Sequence, residues 1–101
     1  QWVRITKPQR VAIPSFTANE NGQLKVKIDA VSGAEGYEIS YSTSKDFSSN
    51  VKKVSTYYTS KTLKNLQRGK IYYIRVRAYK VDSMDRKIYG KYSAVRGVKV
   101  S

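Results

Sequence analysis

The feature that most constrains this chain is parity. Between Ile71 and Val81, Tyr72, Ile74, Val76 and Ala78 alternate with Tyr73, Arg75, Arg77 and Tyr79. Successive side chains of an extended strand point to opposite faces, so this pattern makes one apolar face and one polar, basic-aromatic face. A helix would need apolar residues three and four apart, and no window offers that stripe. The same parity recurs elsewhere. Leu24, Val26 and Ile28 alternate with Lys25, Lys27 and Asp29. Tyr37, Ile39 and Tyr41 alternate with Glu38, Ser40 and Ser42. Val98 and Val100 flank Lys99. Such runs describe half-buried antiparallel strands.

Turn-forming residues separate the runs: Asn21-Gly22, Ser32-Gly33, Ser48-Ser49-Asn50, Arg68-Gly69 and Asp82-Ser83-Met84-Asp85. Glycine and asparagine accept the positive φ that tight turns need, and Asp and Ser bond nearby backbone groups. Closely spaced strands without helices predict a β-sandwich or small barrel. The 101 residues suffice for one domain.

Two ends of the chain echo each other. Val3-Arg4-Ile5-Thr6 has the pattern of Val98-Lys99-Val100-Ser101. Residues 1–8 then read as a linker or the tail of a preceding similar domain, with the domain proper spanning 9–101; chance similarity of four alternating residues is the competing reading. A start at Gln1 rather than Met suggests an excised piece of a longer protein.

Composition narrows the chemistry. The chain has neither Cys nor His, so thiol nucleophiles, thiolate metal sites and the commonest general base are excluded. Its seven carboxylates are scattered over loops and polar strand positions, with no phosphate-binding glycine loop. No catalytic residue, cofactor or metal site is expected. Asp82 and Asp85 are better explained by turn chemistry than by calcium, which takes six to eight oxygens. Twenty Lys and Arg against seven Asp and Glu give a formal charge of +13, which attracts polyanions. No apolar run reaches the length of a membrane-spanning helix. The stretch Arg68-Gly69-Lys70-Ile71-Tyr72-Tyr73 has Lys70 where an RNA-recognition strand needs an aromatic, so specific nucleic-acid binding is not expected.

From about Gln9 onward the chain resembles a fibronectin type III domain. The motif residues are Leu66, Gly69 and Tyr72, followed by Ile74, Val76 and Ala78. Tyr37-Glu38-Ile39-Ser40-Tyr41 and Gly90-Lys91-Tyr92-Ser93 look like the family's third strand and the lead into its last. Ile28 stands where many members carry a Trp. The segments "YSTSKDF" and "YYIRVRAY" resemble repeats of bacterial surface proteins, often Gram-positive.

The resemblance implies an all-β fold: a seven-stranded antiparallel immunoglobulin-like sandwich with sheets ABE and C′CFG. The strands fall near 10–17, 23–30, 36–43, 51–55, 58–64, 71–81 and 92–100. It places Leu24, Val26, Ile28, Tyr37, Ile39, Tyr41, Leu63, Leu66, Tyr72, Ile74, Val76, Val98 and Val100 inward. It makes Tyr72 a structural corner residue, with Leu66 over its ring and Gly69 in the turn. Its functional implication is a non-catalytic spacer in a larger extracellular or cell-surface protein, secreted and bacterial. The partners would be neighbouring domains of the same chain and an anionic cell-wall polymer or polysaccharide in weak electrostatic contact, with no membrane insertion and a monomeric state. The alternative is a specific carbohydrate- or protein-binding module using end loops or the outward row Tyr73, Arg75, Arg77 and Tyr79. On that row tyrosine rings could stack on a partner and guanidinium groups grip anions. The competing account is a solvated sheet face on which Glu38 pairs with an arginine.

Overall fold

A computed structural model describes Val11, Ala12 and residues 14–101. The expected linker at residues 1–8 lies outside the described residues. The strands are β1 (Ser15–Glu20), β2 (Gln23–Lys27), β3 (Gly36–Ser42), β4 (Lys52–Thr56), β5 (Ser60–Leu63), β6 (Ile71–Val81), β7 (Lys87–Tyr89) and β8 (Arg96–Lys99). One sheet has the order β1-β2-β5; the other runs β4-β3-β6, with β7 and β8 both pairing the far edge of β6. All pairings are antiparallel. Strands β1, β2 and β5 are therefore A, B and E, and β4, β3 and β6 are C′, C and F.

Period-two burial explains why the sheets face each other. Leu24, Val26, Ile28, Ile39, Ile74, Val76 and Ala78 are all at most 1 % exposed. Leu63, Leu66, Tyr37 and Val100 complete the buried cluster, and Tyr41, Tyr72 and Val98 pack against it half-buried. Val11, ahead of the first strand, also enters this core. Removing such side chains from water is the main favourable contribution to folding, about 1.5–3 kcal/mol each before entropy.

Two strand expectations are corrected. The first strand, expected near 10–17, runs among the described residues from Ser15 to the Asn21-Gly22 turn, because its ladder with β2 continues to Glu20↔Gln23 past a register shift between Phe16 and Ala18. The last strand, expected at 92–100, is confined to β8 (Arg96–Lys99), and a further short strand before that range, β7 (Lys87–Tyr89), pairs the same edge of β6. Tyr79 faces Tyr89 and Ile74 faces Arg96, so five steps along β6 match seven along its partner, leaving two extra residues. The interruption keeps its backbone bonded: Gly90 N–H donates to Ala78 O, Ser93 N–H donates to Val76 O, and Val76 N–H donates to the Ser93 hydroxyl. A side-chain oxygen thus replaces a ladder carbonyl, as a buried donor requires.

Candidate functional site

The outward row of β6 lies between two neighbours. On one side Tyr73, Arg75, Arg77 and Tyr79 face Ser42, Ser40, Glu38 and Gly36 of β3. On the other side Tyr73 faces Gly97 and Tyr79 faces Tyr89. The β3 row is small or short-chained and sits in a central strand, so the longer β6 side chains can fold down over it. Ser40 and Ser42 are buried, and Glu38 is only 7 % exposed. This side of the sheet is a second, polar layer of packing and not a solvated face.

Its organising contacts are stacked rings and cations. The Arg75 guanidinium carbon lies 4.1 Å from the Phe47 ring centre and 4.0 Å from that of Tyr92. Arg77 lies 3.7 Å from the Tyr89 ring centre and 4.6 Å from Tyr92. Tyr89 in turn meets Tyr79 edge-on at 6.0 Å, and the Lys87 ammonium is 4.7 Å from the Tyr79 ring. Phe47, Arg75, Tyr92, Arg77, Tyr89 and Tyr79 therefore form a continuous alternation of cation and ring, closed by a ring pair. Ring quadrupoles attract such cations, more strongly where water is excluded.

Glu38 supplies the counter-charge. Its Oε1 accepts from Arg77 Nε at 3.1 Å and from the Tyr92 hydroxyl at 2.9 Å, and lies 2.9 Å from Arg77 Nη2. The Tyr92 oxygen is 3.2 Å from Ser40 Oγ. Arg75 has no such partner: its Nε is buried without a hydrogen-bond acceptor among the described residues. Phe47 and Tyr92 cover the faces of its guanidinium with π-systems.

Phe47 reaches Arg75 because its loop is tied down. The Asp46 carboxylate accepts from the Ser44 hydroxyl at 2.6 Å and from the Ser48 N–H at 3.1 Å. Bonds from the side chains of Ser44 and Ser48 hold the Asp46 carboxyl at about 2, against 3.8 ordinarily. Phe47 itself adopts a left-handed φ of 57°.

The four residues of the row are thus brought together, but against partners from their own chain. Tyr79 is 2 % exposed. Its hydroxyl approaches Gly36 so closely that a Cβ there would lie 2.6 Å from it and 2.9 Å from the Thr56 carbonyl oxygen. Tyr73 is half-buried over Gly97, where an added Cβ would lie 3.0 Å from the ring. Glu38 pairs with Arg77, as the parity suggested. Phe47, Tyr89 and Tyr92 were not anticipated as partners of the row; the only signal was that these aromatics stand in or beside irregular segments, where no core position accounts for them.

The three structural residues of the β5–β6 connection assemble as follows. The Tyr72 hydroxyl accepts from Gln67 N–H at 2.9 Å. Leu66 is 8 % exposed, and Gly69 takes φ 82° while its N–H donates to Val100 O. At the other pole Tyr37 does the same work: its hydroxyl accepts from Val31 N–H at 2.9 Å. Asp82 caps its hairpin, taking Met84 and Arg86 N–H on Oδ1 and Arg86 Nε on Oδ2, each at 2.9 Å. No group of three His, Cys, Asp or Glu able to hold a metal occurs among the described residues.

No family model matches the chain, and no curated protein matches it. Solved structures do. A fibronectin type III domain derived from a human protein, solved in solution, superposes with a TM-score of 0.72 at 17 % identity, covering 89 % of this chain and 72 % of that one. The sixth such domain of human fibronectin type III domain containing protein 3 superposes with the same TM-score at 16 % identity, over 97 % of this chain and 90 % of that one. The three-domain FN1–FN3 segment of chicken CNTN1 superposes at 0.72 and 23 % identity, over 88 % of this chain and 29 % of that longer one.

Proposed function

From the fibronectin type III fold that this chain has, we propose that it is a non-catalytic module that spaces and presents neighbouring domains of a larger extracellular or cell-surface protein. The observation that carries this reading is the polarity of the strands. Strand β1 starts at the pole where Ser15 faces Lys27, and runs toward the Asn21-Gly22 turn. Strand β8 ends at that turn's pole: Lys99 faces Ile71, and Ser101 O accepts from Gly22 N–H at 2.8 Å. The strand entering the sandwich and the strand leaving it therefore begin and finish at opposite poles, which suits modules strung in line. The outward β6 face supports the same reading, because its arginines and Tyr79 are engaged within the chain and leave few free groups for a partner. The bacterial setting rests on the resemblance of "YSTSKDF" and "YYIRVRAY" to surface-protein repeats. Surplus positive charge adds weak, salt-sensitive contact with anionic polymers.

Two copies joined in series test the spacer reading by small-angle X-ray scattering. An extended particle, with a maximal dimension near twice that of one copy, is expected. A compact side-by-side particle would overturn it.

A further inference from the structure

The sandwich is open along one side. Strand β4 is the edge of one sheet and β5 the edge of the other, and no ladder joins them. Where the end of β3 and the start of β4 approach the β5–β6 connection, a cleft of about 350 Å³ remains. Its floor includes Leu66 and the ring pair Tyr41–Tyr72, whose centres are 6.4 Å apart at 49°. Lys52 stands on one wall; Lys64 and Lys70 stand on the other.

The charge in this cleft is uncompensated. None of the chain's carboxylates lines it. The ion pairs among the described residues are Arg77–Glu38 and Arg86–Asp82, so none of the three lysines is neutralised by one. The same lining holds neutral hydrogen-bonding residues: Thr43, Asn50, Asn65 and Gln67. The Tyr72 hydroxyl accepts from Gln67 N–H, and its own hydrogen has no acceptor among the described residues. Burial, and then the neighbouring Tyr72, push the Tyr41 phenol above its ordinary value, so it stays a neutral donor.

We propose that this cleft binds a segment of anionic polysaccharide, with the ammonium groups of Lys52, Lys64 and Lys70 meeting its carboxylates or sulfates and the amides and hydroxyls meeting its sugar hydroxyls. The proposal deepens the electrostatic contact of the preceding section and rests on it. Both ligand features are needed to match the lining: an ammonium group is a point charge that suits a dispersed anion, and amides suit neutral hydroxyls. Inside the cleft a nucleic acid would find no open ring face on which a base can stack, because Tyr41 and Tyr72 are half-buried against each other. Lys64 also borders a separate hollow with Lys61 and the exposed Tyr57 and Tyr58, whose role is tested by the oligothymidylate probe below.

The test compares two triple variants of the intact chain by calorimetric titration at low salt. Lys52→Gln/Lys64→Gln/Lys70→Gln empties the cleft of charge. Lys45→Gln/Lys91→Gln/Lys99→Gln removes the same charge from exposed sites elsewhere. The probes are a size-defined oligogalacturonate, dextran sulfate, neutral dextran and oligothymidylate, with thermal melting to confirm folding. With the acidic glycans, the cleft variant should lose about tenfold or more in affinity, and its salt slope should fall by about two to three. The control should lose less than about threefold, as scattered surface charges do. Neutral dextran should not bind. Equal losses in both variants would overturn the cleft and leave the diffuse contact standing. No binding of either acidic glycan by the unaltered chain would remove both. Binding of oligothymidylate with the same dependence on the cleft lysines would overturn the polysaccharide assignment, as would binding of neutral dextran.

Discussion

Replacing Glu38 by Gln probes the outer layer with little change of shape. The Glu38 side chain is 10 % exposed, and a single oxygen takes both Arg77 nitrogens and the Tyr92 hydroxyl. Gln keeps an acceptor oxygen there but removes the charge, leaving the Arg77 guanidinium with rings and a neutral acceptor beside it and no counter-charge. Breaking one partner out of a buried pair costs about 3–5 kcal/mol, whereas an exposed pair is worth about 0–1. The Arg77 side chain is 22 % accessible, so water can recover part of the loss. A destabilisation of about 2–3 kcal/mol follows, near the figure of about 1.5–3 for hydrogen bonds to a charged group. For a domain of this length that corresponds to a fall in Tm of about 10–20 °C. The assay is urea unfolding of the unaltered chain, Glu38→Gln, Arg77→Met and the double variant, which isolates the pairwise coupling. A coupling of about 1.5–3 kcal/mol is expected. A coupling under about 0.5 kcal/mol would show a solvated surface pair and refute the view of this face as a packed layer.

Tyr72→Phe should lower stability by about 1 kcal/mol, the net worth of the hydrogen bond from Gln67 N–H; an unchanged melting midpoint would sink the corner assignment. Gly36→Ala should cost about 1–3 kcal/mol, because the new methyl meets the Thr56 carbonyl as well as the more movable Tyr79 hydroxyl; chemical denaturation reads it directly. The Asp46 carboxyl sits at about 2 in the folded chain against 3.8 ordinarily, so it stabilises fully above its ordinary value and progressively less as pH falls from about 4 toward 2. Asp46→Asn should flatten that part of the acid limb in a pH series of melting curves, and an unaltered limb would count against the Ser44–Ser48 loop as its source.

Much of the fold is legible in the sequence because burial has period two. Strand β6 runs from Ile71 to Val81 as its alternation predicts, and Ile74, Val76 and Ala78 are all fully buried. Parity also separates Tyr72 from Tyr73. What parity cannot convey is whether the other face is wet. Arg75 and Arg77 look like free surface charge until Phe47 arrives from the β3–β4 loop and Tyr89 and Tyr92 from β7 and the segment after it. That arrival depends on the Ser44–Ser48 loop and on the two extra residues between β7 and β8, which no local pattern encodes. The cleft was illegible for a similar reason. Lys52, Lys64 and Lys70 are spread over the sequence like solubilising lysines, and only the separation of β4 from β5 into different sheets brings them around one hollow.

The distinction between the two kinds of cation then explains how one basic chain can keep a rigid outer layer and a partner-facing charge. A guanidinium is planar and weakly hydrated, so it can be laid between rings with little desolvation cost; an ammonium holds its water tightly and stays outside. Arg75 and Arg77 are stacked on rings, Arg86 is paired with Asp82, and Arg96 donates to the Pro14 carbonyl beside the Phe16 ring. Lys52, Lys64 and Lys70 remain exposed. The charges of Arg75, Arg77, Arg86 and Arg96 therefore act within the fold, whereas those of Lys52, Lys64 and Lys70 act on what approaches the cleft. Contact made by ammonium groups tolerates variation in the spacing of a partner's anions and weakens with salt, since each charge acts as a point. Replacing Lys64 by Arg separates these effects: the charge in the cleft is unchanged, so an affinity for oligogalacturonate within about twofold is expected if point charge is what matters. A large gain on Lys64→Arg would mean that planar, bidentate recognition governs the cleft, and the division of labour between the two cations would fail there.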